Sequence, residues 1–101
     1  MLLIRDVFRL KYGHARPAIA AFKESKALMK KLGMPGPMRV LTDVVGPAYT
    51  MVLETQAPDL ATFETQGKKV MQNEEFHAWY QTFIPHVESG YREIFTIVDE
   101  G

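Results

Sequence analysis

The sequence predicts an α+β domain in the order β-α-β-β-α-β, with a four-stranded antiparallel sheet, helices on one sheet face and a broken second helix. Three observations predict it. Apolar residues alternate near both ends of the chain, two intervening stretches repeat them at three- and four-residue spacing, and two β-branched runs meet at Gly46-Pro47.

The composition is compatible with one domain over residues 1–101. The chain has 101 residues, 47% of them hydrophobic, with 12 Lys+Arg against 12 Asp+Glu and no cysteine. That apolar fraction can bury a modest core without disulfides or metal, and the disorder signature of low hydrophobicity with high net charge is absent. Zero net charge provides no basic field for nucleic acid or an anionic membrane, and it leaves self-association unopposed. Without cysteine, thiol catalysis and cysteine-ligated metal sites are excluded. The apolar start Met1-Leu2-Leu3-Ile4 reaches a charge pair after four residues, far short of the roughly 20 a membrane span needs. It reads as a strand, and the cytoplasm is the expected location.

From Leu2 to Tyr12, apolar Leu2, Ile4, Phe8, Leu10 and Tyr12 hold the even positions, which places a strand with a core-directed even face despite Asp6. The odd face mixes Leu3 and Val7 with Arg5, Arg9 and Lys11. Pro17 suits the first turn of a helix, whose apolar face runs through Ala18, Ala21, Phe22, Ser25, Leu28 and Met29. Gly33 is placed for a left-handed cap, and Met34-Pro35-Gly36-Pro37 cannot continue the helix. Met38 to Val45 and Ala48 to Thr55 then read as a hairpin with a short turn over about Val45 to Ala48.

Ala57-Pro58-Asp59 opens the second helix, with Asp59 in its first turn. Its apolar face is Leu60, Phe63, Gly67, Val70 and Met71, with Gly67 expected to permit close packing. Asn73 looks like a fresh N-cap, so the helix should break near Gln72 and restart into the aromatic stripe Phe76, Trp79, Tyr80 and Phe83. Pro85 terminates that segment, and Glu88 to Val98 forms the last strand.

Two right-handed β-α-β crossovers joined by a central hairpin give the ferredoxin-like arrangement, with both helices on one face of the sheet. The other face cannot be wholly polar, because every strand offers apolar residues in both registers. A second copy of the chain is the economical cover, so a homodimer through the open sheet face is expected. Arg5, Val7 and Arg9 are expected on the covered face, with Asp43, Glu54 and Glu93 as strand carboxylates able to pair the arginines.

The element order, the split second helix and the segments Phe76-His77-Ala78-Trp79-Tyr80 and Phe83-Ile84-Pro85-His86-Val87 resemble the dimeric α+β barrel superfamily. The NIPSNAP-like branch is the nearest, with its arginine- and tyrosine-bearing first strand. The resemblance implies a homodimer with a ligand space between sheet and helices in each subunit. The superfamily includes cofactor-independent monooxygenases, isomerases, haem-degrading enzymes and proteins without established activity, so the fold does not choose a reaction.

His77 is the candidate catalytic residue, because an imidazole beside aromatics can move a proton; its bland alternative is a boundary histidine with a wet tip. Phe76, Trp79, Tyr80 and Phe83, with Arg9 for a polar end, are the candidate ligand-binding residues, and core packing is the competing role of the stripe. No metal site is expected: neither His14 nor His86 has a partner at zinc-like helical spacing such as i, i+4, and convergence of the histidines in space is left open. No cofactor is required by any motif. In haem-degrading relatives a second-helix histidine works with a first-strand asparagine, and this first strand has none. Two function classes follow: a homodimer that binds an apolar or aromatic small molecule, as a cofactor-independent monooxygenase or isomerase, and a non-enzymatic binding or assembly module. Haem binding is the weaker third.

Overall fold

A computed structural model describes residues 1–34 and 38–101. The chain runs β1 (Leu2–Leu10), α1 (Ala15–Lys31), β2 (Arg39–Thr42), β3 (Thr50–Ala57), α2 (Leu60–Met71), α3 (Glu74–Phe83), a 3-10 turn (Ile84–His86) and β4 (Val87–Thr96). The strands lie in the order β2-β3-β1-β4, all pairs antiparallel, which is the ferredoxin-like topology.

Local chemistry sets most boundaries. Gly33, at φ 77°, ends α1 in a Schellman motif: its amide donates to the Lys30 carbonyl and the Met34 amide to that of Met29, both at 3.1 Å. The stretch Pro35-Gly36-Pro37, expected to bar continuation of this helix, lies outside the described residues. Asp59 is the N-cap of α2 rather than a first-turn residue, accepting from the Thr62 amide at 2.7 Å. That bond and one from the Thr62 side chain hold the Asp59 carboxyl below its ordinary pKa. Asn73 caps α3 as expected, accepting from the Phe76 amide at 2.9 Å, so the second helix is broken where its sequence places a new start.

Several boundaries differ from expectation. Strand β1 stops at Leu10, and Tyr12 lies beyond it, 87% exposed, with its ring 4.7 Å from that of Tyr49. Helix α1 begins at Ala15, which keeps Pro17 in its first turn as expected, whereas β4 begins and ends earlier than Glu88 to Val98. The hairpin has a seven-residue loop over 43–49 in place of a tight turn. Asp43 closes it by accepting from the Thr50 amide at 2.9 Å, and Tyr49 adopts φ 61°, so Val44 and Val45 project into solvent instead of extending β2. Asp43 is thereby a loop clasp and pairs with no strand arginine among the described residues.

The core sits between the sheet and the α1–α3 pair. Leu10, Ala18, Ala21, Phe22, Met51 and Phe83 form its buried centre. The Phe83 ring meets Phe8 edge-on at 5.2 Å, meets Phe22 at 5.6 Å and stacks on Trp79 at 5.3 Å. Helix α2 buries only Val70, leaving Leu60 and Met71 half exposed.

The opposite sheet face carries no helix. Directly opposed residues share a face, so one row across all four strands reads Arg39, Glu54, Arg5, Glu93. The row is a chain of ion pairs: Arg39 to Glu54, Glu54 to Arg5 at 3.4 Å, and Arg5 to Glu93 at 3.3 Å. The next row is apolar, with Leu41, Val52, Val7 and Tyr91 side by side.

Candidate functional site

Because α2 stands off the sheet, a cavity of about 980 Å³ opens beneath it. Phe63, Gly67, Val70 and Met71 of α2 form its roof, and α3 contributes Phe76, Trp79, Tyr80 and Phe83. Phe8 and Asp6 of β1 and Arg92 of β4 lie along the sheet side. Gly90 sits opposite Phe8, and a Cβ there would come within 3.2 Å of the Phe8 ring, so glycine leaves that ring its place at the cavity wall. Gly67 does not serve close packing, contrary to expectation: a Cβ built on it meets nothing within 4 Å, because its face of α2 looks into the cavity.

The lining is mainly apolar, with Glu64 and Lys68 of α2, Glu88 of β4 and one ion pair as its charged members. Asp6 and Arg92 are cross-strand neighbours, and Arg92 Nε donates to Asp6 Oδ1 at 2.5 Å. The guanidinium also lies 5.1 Å from the centre of the Phe63 ring on α2. Asp6, anomalous on a core-directed strand face, therefore has its explanation: its carboxylate is mostly covered and held by Arg92 at the cavity wall. Sequence reasoning missed this pair. The signals available were the one acidic residue on the even face of β1 and an arginine on the last strand, and only the β1–β4 register joins them.

The expected site residues divide into two groups. Phe76, Trp79, Tyr80 and Phe83 come together on the cavity. They also pack on one another, with Phe76 stacked on Tyr80 at 5.7 Å and the Trp79 indole N–H donating to the Ala21 carbonyl at 2.6 Å, so core and cavity-wall roles coexist. His77 and Arg9 are not brought to them. His77 is exposed, outside the cavity lining, and its Nε2 hydrogen-bonds the Met71 carbonyl at the end of α2. Arg9 lies on the open sheet face opposite Thr50 and Ser89. Among the described residues no histidine lines the cavity, so the haem ligand set does not fit this chain.

His14 and His86, which share no metal-ligand spacing in the sequence, do converge: their Nδ1 atoms are 3.0 Å apart. No group of three or more metal-ligating side chains occurs among the described residues. No helix there is long and apolar enough to cross a membrane.

Fold and cavity together define a ferredoxin-like domain with a ligand-sized space between sheet and helices, the architecture the sequence resemblance implied. No protein-family model matches the sequence, and no curated protein matches it. Solved structures do match in fold. An uncharacterized NIPSNAP domain protein from Burkholderia xenovorans superimposes with a TM-score of 0.87 at 13% identity, covering 100% of this chain and 98% of that one. A NIPSNAP family protein from Agrobacterium tumefaciens gives 0.87 at 14% identity, covering 98% and 94%. A cofactor-independent oxygenase from Streptomyces nogalater gives 0.71 at 13% identity, covering 97% and 93%. The chain shares its fold with NIPSNAP-domain proteins and with antibiotic biosynthesis monooxygenases, and no specific function is established by that likeness.

Proposed function

We propose that this chain binds an apolar or aromatic small molecule beneath α2 and acts on it as a cofactor-independent monooxygenase or isomerase. The observation that carries the reading is the cavity of about 980 Å³, lined mainly by apolar and aromatic side chains with a few charged ones, the Asp6–Arg92 pair among them, which is the make-up of small-molecule sites. Trp79 and Tyr80, backed by the buried rings of Phe83 and Phe76, orient a flat ligand by stacking. Arg92 faces the polar end, where it stabilises a phenolate or enolate, and Asp6 is the acceptor within reach of an acidic proton. His77 and Arg9, outside the lining, carry no step in this reading.

The functional unit is proposed to be a homodimer closed through the open sheet face. The charged row of two arginines and two glutamates is internally neutral, and the apolar row beside it can face its symmetry mate.

Titration with 2-naphthol, read by quenching of the single tryptophan, Trp79, tests the binding claim. Saturable quenching that Gly67→Phe abolishes is expected; no saturable quenching overturns the cavity reading. Oxygen uptake with phenolic substrates, lost in Asp6→Asn and Arg92→Gln but kept in His77→Ala, is the expected catalytic result. Turnover that requires His77 and ignores Asp6 overturns it.

A further inference from the structure

We infer that the ligand of the cavity beneath α2 is a phenol bearing a flexible alkyl chain, its ring at the Asp6–Arg92 end and its chain among methionines at the other. The inference rests on the small-molecule reading above and deepens it by naming the substrate class. Four of the six methionines of the chain, Met29, Met34, Met38 and Met71, line the cavity, and they come from three separate segments. Met29 lies near the end of α1, and the Met34 amide donates to the Met29 carbonyl at 3.1 Å, which folds Met34 back beside it. The Lys31–Glu75 bridge at 2.8 Å ties this end of α1 to the start of α3, where α2 has just ended at Met71. Met38 precedes Arg39, which opposes Glu54, so it falls level with Thr55 on the helix-covered face, and Thr55 is itself part of the lining.

The two ends differ in chemistry and lie far apart. Arg92, Asp6 and Leu53 follow one another across β4, β1 and β3, and strands about 4.8 Å apart place the β2 edge, with Met38, about 14 Å from Arg92. Along α1, Met29 lies seven residues, or about 10 Å, beyond Phe22, whose ring meets that of Trp79. A single flat ring covers neither distance, and a volume of about 980 Å³ is at the top of the roughly 300–1,000 Å³ range of small-molecule sites. Methionine is unbranched and its thioether is polarizable, so a methionine-lined end repacks around a chain of variable shape where leucine or valine would hold one shape. Glu64, Lys68 and Glu88, charged members of the lining, are exposed and stand at its mouth. At the other end Asp6 offers an acceptor beside the donors of Arg92, which suits a hydroxyl that both donates and accepts; a carboxylate there faces the like charge of Asp6.

Titrating 4-ethylphenol, 4-butylphenol and 4-octylphenol into the full chain tests this, with Trp79 quenching for affinity and the methionine methyl signals in NMR spectra for location. Each added methylene is expected to tighten binding about threefold. 4-Octylphenol is expected to shift the methyl signals of Met29, Met34, Met38 and Met71 and to leave Met1 unmoved, whereas 4-ethylphenol leaves all five in place. 4-Octylbenzoate, with the same ring and chain, is expected to bind at least about tenfold more weakly than 4-octylphenol. Met29→Gln is expected to cost 4-octylphenol about fivefold more affinity than it costs 4-ethylphenol. Binding of 4-ethylphenol with no gain on lengthening the chain, shifts confined to other methionines, equal losses in Met29→Gln, or a benzoate that binds as tightly as the phenol overturns this inference and leaves the cavity reading standing. Failure of every phenol to bind overturns both.

Discussion

The two halves of the helical layer are built on opposite plans. Under α1 and α3 the interface with the sheet is filled, with Phe22 and Phe83 nearly inaccessible and their rings locked edge-to-face. Under α2 the same sheet meets empty space, and an apolar helix face of similar composition roofs a cavity. The difference teaches that an apolar stripe at helical spacing reports that a face is sheltered from bulk water, and says nothing of whether protein atoms fill the shelter. Side-chain length contributes: at Gly67 and Val70 the roof offers little bulk, and Phe63 reaches the sheet only through Arg92, whereas Phe22 and Phe83 fill the interface under the other two helices.

The largest expected effect breaks the filled half. Phe83→Ala should cost about 3–5 kcal/mol of stability, measured by urea denaturation, because it empties the centre of a close-packed cluster. Met71→Ala, on the cavity roof and half exposed, should cost less than about 1 kcal/mol. Equal losses in the two variants would erase the distinction between the halves.

Saturation of the cavity should narrow the contrast between the halves. At a hundredfold excess over its Kd a ligand adds about 2.7 kcal/mol, and hydrogen exchange should locate the new protection in α2 more than in α1. Gly67→Ala sharpens the comparison from the other side. The added methyl meets no atom, so removing the glycine from the interior of α2 should stabilise the fold by about 0.5–1 kcal/mol while narrowing the cavity. On the uncovered sheet face, Tyr91→Lys should convert the proposed dimer of about twice 11.5 kDa to monomer in light scattering without unfolding it, since Tyr91 is mostly exposed in the single chain.

The smallest effect is a pH dependence at the start of α2. The Asp59 carboxyl titrates below its ordinary value in the folded chain, so its cap is fully present above pH about 4 and is lost as the pH falls through the lowered folded pKa. Amide exchange at Thr62 should rise across that acidic window, and Asp59→Asn, whose amide oxygen also accepts, should flatten the rise.

Much of the fold was legible because its signals are local. Asn73 and Asp59 cap whichever helix follows them, Gly33 takes the left-handed turn without a steric penalty, and the alternation in β1 needs no partner to be read. The hairpin turn is not legible in the same way: its β-branched residues Val44 and Val45 satisfy strand propensity, while the Asp43 clasp and the left-handed Tyr49 close the loop earlier. The aromatic stripe of the site was readable as a stripe. His77 neighbours that stripe in sequence, yet one position along a helix turns a side chain by about 100°, enough to carry it from the cavity to the end of α2.

By itself the sequence determined the order of elements, their caps and breaks, and the residue types available to each face, because these depend on neighbours within about four positions along the chain. The tertiary structure decided the rest. Strand register joined Asp6 to Arg92 and strung Arg39, Glu54, Arg5 and Glu93 into one row. Backbone hydrogen bonds of Lys11 brought His14 to His86, and the stand-off of α2 made a cavity from what composition alone describes as core. Pairings between residues some 15 to 88 positions apart and the volume left between packed layers are properties of three-dimensional geometry, and no local pattern encodes them.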